Sequence, residues 1–219
     1  MSRALPWLAA RAAASAIGSA TGGLPHALLY LAKPLATILI LAWARPRGAS
    51  NPRAQRLVRL GLALSLIGDV ALLWPREGFL PGLVAFLLAH LAYIGAFCTA
   101  TPFAARRLPF VAYTAVAGAI LALLWPGVPG ALRLPVLADV ACLAAMAAQA
   151  AAAWLGARGT SESARAWRAA LGGALFVASD ALLATNRFSV ALPLAALWIL
   201  ATYWAAQGLI AASLAPGNR

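Results

Sequence analysis

Acidic side chains are scarce in this chain: five aspartates and glutamates in 219 residues, against seventeen lysines and arginines. Lysine itself occurs once, as Lys33, and there are two cysteines and two histidines. Cys98 and Cys142 both fall inside apolar runs and lack the CxxC spacing of a redox or metal site, so they read as packing residues. With His26 and His90 as the only histidines and no HExxH, a zinc hydrolase, which takes about three protein ligands plus water, has little to draw on. A site made from His90 and two aspartates is the one metal arrangement left, and the chain is read as having no metal and no other cofactor. Long polar stretches are also missing, so no attached soluble domain is expected.

What fills the chain is hydrocarbon. Hydrophobic residues make up 63% of it and the mean hydropathy is +0.85, against about 45–50% apolar residues in a soluble domain. A net charge of +12 would ordinarily raise nucleic acid as a partner. Here the arginines are gathered between the apolar runs, the pattern of a polytopic membrane protein rather than of a basic groove, so no nucleic acid is expected. One lysine among sixteen arginines and an abundance of alanine suggest a GC-rich bacterial genome, and with it a bacterial cytoplasmic membrane.

A span needs about 20 mainly apolar residues. Eight runs fit, over residues 4–20, 24–44, 56–75, 79–99, 108–126, 131–156, 167–185 and 190–213. The first is short and interrupted by Arg11, and is read as a retained helix rather than a signal peptide. Breakers separate the runs: a turn around Pro75, Gly78 and Pro81, the segment Pro126-Gly127-Val128-Pro129-Gly130, and a short turn at Asn186-Arg187. Loops after the second, fourth and sixth runs carry Arg45, Arg47, Arg53, Arg56, Arg106, Arg107, Arg158, Arg165 and Arg168, whereas the opposite ends carry Arg76, Arg133 and Arg187. The expectation is an all-α transmembrane bundle of about eight spans, one domain over residues 1–219, with both termini cytoplasmic. Tryptophans near run ends (Trp43, Trp74, Trp125, Trp154, Trp167) read as an interfacial belt.

All three aspartates, Asp69, Asp139 and Asp180, lie inside apolar runs. A charge at bilayer depth costs roughly 2.5–3.5 kcal/mol on insertion scales, so such residues face the bundle interior and have partners or tasks. His26, Tyr30, Lys33 and Thr37 form one helical stripe; Ser65 shares a face with Asp69, His90 with Tyr93, and Tyr203 with Gln207. These stripes are expected to converge on a cavity. Tyr93, Tyr203 and Gln207 also fit a plainer role as interhelical hydrogen-bond glue, and His90 fits that of a satisfied core histidine. Three acids stand against Lys33 near that depth, with Arg11 and Arg187 less clearly placed there, so one carboxyl is expected to carry a proton beside an ionised neighbour, an arrangement suited to acid–base work.

Five segments, YLAKPLATILI (Tyr30–Ile40), SLIGDVALLW (Ser65–Trp74), FLLAHLAYIGAF (Phe86–Phe97), FVASDALLATNRF (Phe176–Phe188) and TYWAAQGLI (Thr202–Ile210), resemble in order and spacing the YhhN/TMEM86 family of membrane proteins. Characterised members of that family are lysoplasmalogenases. The resemblance implies functional positions at Lys33, Asp69, His90, Tyr93, Asp180, Asn186, Tyr203 and Gln207, with a lysophospholipid as substrate. It also exposes a departure: Asp139 stands in PVLADVACLAAM where an aromatic residue is expected.

The implied reaction hydrolyses the vinyl ether of a lysoplasmalogen to a fatty aldehyde and a glycerophospho-base. Protonation on carbon generates an oxocarbenium ion, water adds, and the hemiacetal collapses. Two carboxyls serve such a transition state in glycosidases, and Asp69 and Asp180 are the expected pair, with Lys33, His90, Tyr93, Asn186, Tyr203, Gln207, Asp139 and Tyr30 binding or supporting. The residues also admit a small-solute or proton-coupled transporter, or a lipid-binding protein without catalysis. An inverted repeat would favour transport, but GDVALLW and SDALLAT match over only a few residues.

Overall fold

A computed structural model describes residues 4–74 and 76–216. It contains eight α-helices: α1 (Leu5–Ala20), α2 (Ala27–Ala44), α3 (Pro52–Ala71), α4 (Phe79–Phe97), α5 (Arg107–Leu124), α6 (Arg133–Ala157), α7 (Ser163–Phe188) and α8 (Ala195–Ser213). No strand occurs among the described residues. Pro75, assigned above to the turn before α4, lies outside them.

Six helices, α2 and α4 to α8, are long and apolar enough to cross a membrane. The other two depart from a simple span. α1 has 16 residues, about 24 Å at 1.5 Å per residue, less than the ~30 Å of a hydrocarbon core. α3 starts four residues earlier than the hydropathy suggests, because Pro52 sits at its first position and Asn51 Oδ1 accepts from the Ala54 amide at 3.0 Å. Its first turns therefore carry Arg53, Arg56 and Arg59. At the far end of the chain, Asn186 and Arg187 belong to the last turn of α7 and do not form the expected turn. Nothing there breaks a helix, and Asn186 Oδ1 instead braces the following segment by accepting from the Leu192 amide at 3.0 Å.

Seven helices close a ring in the order α1, α2, α3, α4, α6, α7, α8, with α8 also reaching α2 and α3. α5 stands outside this ring. It packs on α6, touches α7 lightly, and buries only Pro109 and Leu124. Alanines with no exposed surface, among them Ala16, Ala36, Ala89, Ala147 and Ala206, line the contacts, as expected where close backbone approach rather than hydrophobic burial drives helix association. Arginine–tryptophan pairs mark the helix ends: Arg47 over Trp43, Arg133 over Trp125 and Arg158 over Trp154, with guanidinium-to-ring distances of 4.5, 5.2 and 4.8 Å.

The α3–α4 contact positions the site. Gly61 and Gly68 lie seven residues apart on α3 and face Tyr93 and Phe86, seven apart on antiparallel α4. A Cβ on Gly61 would come within 2.3 Å of the Tyr93 ring, and one on Gly68 within 2.6 Å of the Phe86 ring. The glycines are the seats of two rings. Gly61→Ala is accordingly expected to cost about 1–3 kcal/mol by overpacking and to lower the apparent melting temperature in detergent, measured by scanning fluorimetry. Gly118→Ala, where a Cβ meets no atom within 4 Å, leaves that temperature unlowered.

Candidate active site

Asp69 occupies the last turn of α3, where it is 2% exposed. Its Oδ2 accepts from Thr37 Oγ1 on α2 at 2.5 Å and from the Tyr203 hydroxyl on α8 at 2.9 Å. Trp204 Nε1 in turn donates to Thr37 Oγ1 at 3.2 Å, so one carboxylate oxygen organises three helices. Lys33, one turn from Thr37, is buried in the same cluster without coming within 4 Å of a carboxylate among the described residues. Deeper along the bundle, the Tyr93 hydroxyl donates to Gln207 Oε1 at 2.6 Å, with both residues fully buried.

Asp180 belongs to a second cluster. With Asp139 it lines a cavity of about 90 Å³ between α4, α5, α6 and α7, and the other lining residues are apolar except Tyr113. Asp139 Oδ1 lies 3.4 Å from Nδ1 of His90, a fully buried residue on α4, without hydrogen-bond geometry. The unexpected third acid is thus aimed at the one histidine in the core. No third His, Cys, Asp or Glu joins a group able to hold a metal among the described residues.

An aromatic group stands between the clusters. Phe86, Phe176 and Tyr203 meet pairwise edge to face, at centroid separations of 6.3, 5.8 and 5.6 Å. His90 packs on Phe176 at 4.8 Å. Tyr203 therefore touches Asp69 with its hydroxyl and the rings leading to His90 with its own ring. Asp69 does not line the cavity that Asp180 lines.

The expected convergence of the stripes is thus partial. Lys33, Asp69, His90, Tyr93, Asp139, Tyr203 and Gln207 are buried together inside the ring. Tyr30 and His26 are not: Tyr30 is 41% exposed and packs between His26 and Trp74, each at 6.0 Å. The α2 stripe runs out of the bundle toward its N-terminal end, and only Lys33 and Thr37 face inward. Asn186, occupied with the Leu192 amide, serves the α7–α8 connection. Sequence reasoning passed over Phe86, Phe176 and Trp204. Trp204 carried a signal, being a tryptophan in mid-run rather than at a run end.

An interior lined by buried acids, within helices long enough to cross a bilayer, defines a polytopic membrane protein with a polar core. The chain belongs to the YhhN family, whose model matches residues 28–214. It is 35% identical to human lysoplasmalogenase TMEM86A over 170 residues, covering 75% of this chain and 67% of that protein. It is 37% identical to lysoplasmalogenase TMEM86B of Sus scrofa over 185 residues (84% and 74%), and 33% identical to a lysoplasmalogenase of Mycobacterium bovis over 196 residues (85% and 70%). No solved structure matches it.

The Asp69 cluster depends on its donors. Thr37→Val keeps the shape but removes the hydroxyl that links Trp204 to Asp69, leaving a buried acceptor and a buried indole donor short of partners. A loss of about 1–3 kcal/mol follows, read as a lowered melting temperature in detergent, with Thr37→Ser retaining most of the wild-type value.

Proposed function

We propose that this protein is a membrane hydrolase that cleaves the vinyl ether of lysoplasmalogens, releasing a fatty aldehyde and a glycerophospho-base. The observation that carries the reading is the cavity: an apolar wall interrupted by two carboxyls, in a chain whose relatives bear the name lysoplasmalogenase. α4 and α5 both pack on α6 but not appreciably on each other, so the cavity faces the membrane between them. A lipid chain enters such a gap without leaving hydrocarbon. The same reading puts the arginine-bearing loops and both termini on the cytoplasmic side of a bacterial inner membrane.

The reaction needs a proton on the vinyl carbon, then a negative charge beside the oxocarbenium ion and a base for water. Asp180, at the wall of an apolar cavity, is suited to the first task. Asp69, with Thr37 and Tyr203 donating to one oxygen and Lys33 nearby, is suited to the second. Tyr203 is the group that bridges Asp69 to the aromatic wall, and His90 and Gln207 position side chains around it. A second assignment is favoured by a different observation: Asp139 shares the cavity with Asp180, so that these two form the pair and Asp69 holds the bundle together.

Aldehyde release from a synthetic lysoplasmalogen by purified protein separates these readings. Asp180→Asn is expected to abolish turnover in folded protein. Loss in Asp69→Asn with activity kept in Asp139→Asn supports the first pair, and the reverse supports the second. Activity should resist chelators. Folded wild-type protein that releases no aldehyde would overturn the hydrolase and bring transport or lipid binding forward.

A further inference from the structure

A second cavity, of about 520 Å³, opens at the end of the bundle that carries the arginine-rich connections. Its mouth is polar, with Asn51, Thr99, Thr101, Thr160, Glu162 and Arg165. Its floor is formed by small and apolar residues, including Val58 on α3, Ala96 on α4, Ala169 on α7 and Leu214 just after α8. The first cavity is walled instead by the opposite ends of the helices: Leu72 just after α3, Phe79 at the start of α4, Leu124 at the end of α5 and Phe188 at the end of α7. One cavity suits hydrocarbon and the other suits water, and they face opposite ends of one bundle.

Three helices carry the floor of the larger cavity inward on a single face each. On α3 the steps are Val58, Leu62, Ser65 and Asp69; on α4, Ala96, Tyr93 and His90; and toward the end of α8, Leu214, Ala211, Gln207 and Tyr203. Beneath the floor, then, lie Ser65, Tyr93 and Gln207, all with no exposed surface. Ser65 faces the Tyr93 hydroxyl, and Tyr93 donates to Gln207. Yet Ser65 Oγ and Gln207 Nε2 complete no hydrogen bond with the protein. Each such group costs about 1–3 kcal/mol if left unpaired in a dry interior, and buried polar groups of this kind are ordinarily satisfied by ordered water.

We infer that the polar-mouthed cavity is the inlet of a water column that passes Ser65, Tyr93 and Gln207 to reach Asp69 and His90. Water is the second substrate of the hydrolysis proposed above, on which this role for the column rests, and the apolar cavity is a poor route for it. The two substrates enter by separate routes: lipid from the side, between α4 and α5, and water from the arginine-bearing end. The column is a property of the fold in its own right and is measurable without any lipid substrate.

Cysteine accessibility tests it in full-length protein reconstituted in oriented vesicles, on a Cys98→Ser, Cys142→Ser background. The probe is the silver ion in chloride-free buffer, a thiol-reactive cation no wider than a water molecule and excluded from hydrocarbon. Ser65→Cys is expected to react when the reagent is on the arginine-bearing side and to stay unmodified from the other. Ala96→Cys, at the floor, reacts from the same side and faster. Adding Ala96→Leu to Ser65→Cys fills the floor and slows modification by roughly tenfold, a barrier of about 1.4 kcal/mol. In protein that elutes as a folded species, a Ser65→Cys that stays unreactive while Ala96→Cys reacts overturns the column, because the cavity then ends at its floor. Reaction from both sides, or no effect of Ala96→Leu, overturns it too. Ala96→Leu alone is expected to lower kcat for aldehyde release with the lipid KM unchanged, whereas a rise in KM alone overturns the water-supply role. Labelling as expected in a protein that releases no aldehyde strikes at the hydrolase reading, not at the column.

Discussion

Burying the Asp69 carboxylate is the constraint on which the rest of this bundle turns. A carboxylate taken out of water must be met by donors, and in this chain they come from two other helices, Thr37 on α2 and Tyr203 on α8. That requirement draws α8 inward from its place in the ring, so that besides its neighbours α7 and α1 it reaches α2 and α3. Trp204, next to Tyr203, is held by the same hydroxyl that serves the carboxylate. Hydrophobicity puts the helices in the membrane, but it is indifferent to which helix neighbours which. The polar cluster decides that.

The aromatic group then links this cluster to the second one. Tyr203 is shared: its hydroxyl belongs to Asp69 and its ring to Phe86 and Phe176. Phe86 is placed by Gly68, and Tyr93, one turn beyond His90, by Gly61. A pair of glycines without chemistry of their own thereby sets the depth at which the aromatic wall, His90 and the cavity stand. A displacement of α4 against α3 would shift Phe86, Tyr93 and His90 together, because these three ride on α4.

The helices were largely legible in the sequence because apolar run length and charged breakers both report on them. Where the reading slipped, local chemistry had overridden hydropathy. Asn51 and Pro52 start α3 inside an arginine-rich segment, and α7 runs through Asn186 and Arg187 because nothing there stops it. Lys33, Asp69, His90, Tyr93, Tyr203 and Gln207 were identifiable as interior residues from depth and spacing. Their grouping was not, since helical spacing shows which side chains share a face but not which face they meet. Asp180 meets Asp139 because α7 packs on α6, and Asp139 meets His90 because α4 packs on α6 while skipping α5 in the chain, neighbourhoods that no periodicity reveals. The same limit explains Tyr30, which shares a stripe with Lys33 yet lies at the margin of the bundle.

α5 stands apart from the closed ring and supplies Tyr113, Ala117, Ile120, Leu121 and Leu124 to the cavity wall. A cavity is only as rigid as its softest boundary. Three of the walls here belong to interlocked helices, and the fourth is one helix resting on α6, with most of its side chains turned to lipid. Displacing α5 exchanges contacts with the cavity for contacts with acyl chains, a transfer between two apolar media that carries little hydrophobic penalty. The capacity of the cavity is therefore elastic. Under the function proposed above, how far that one helix yields decides which chain lengths fit.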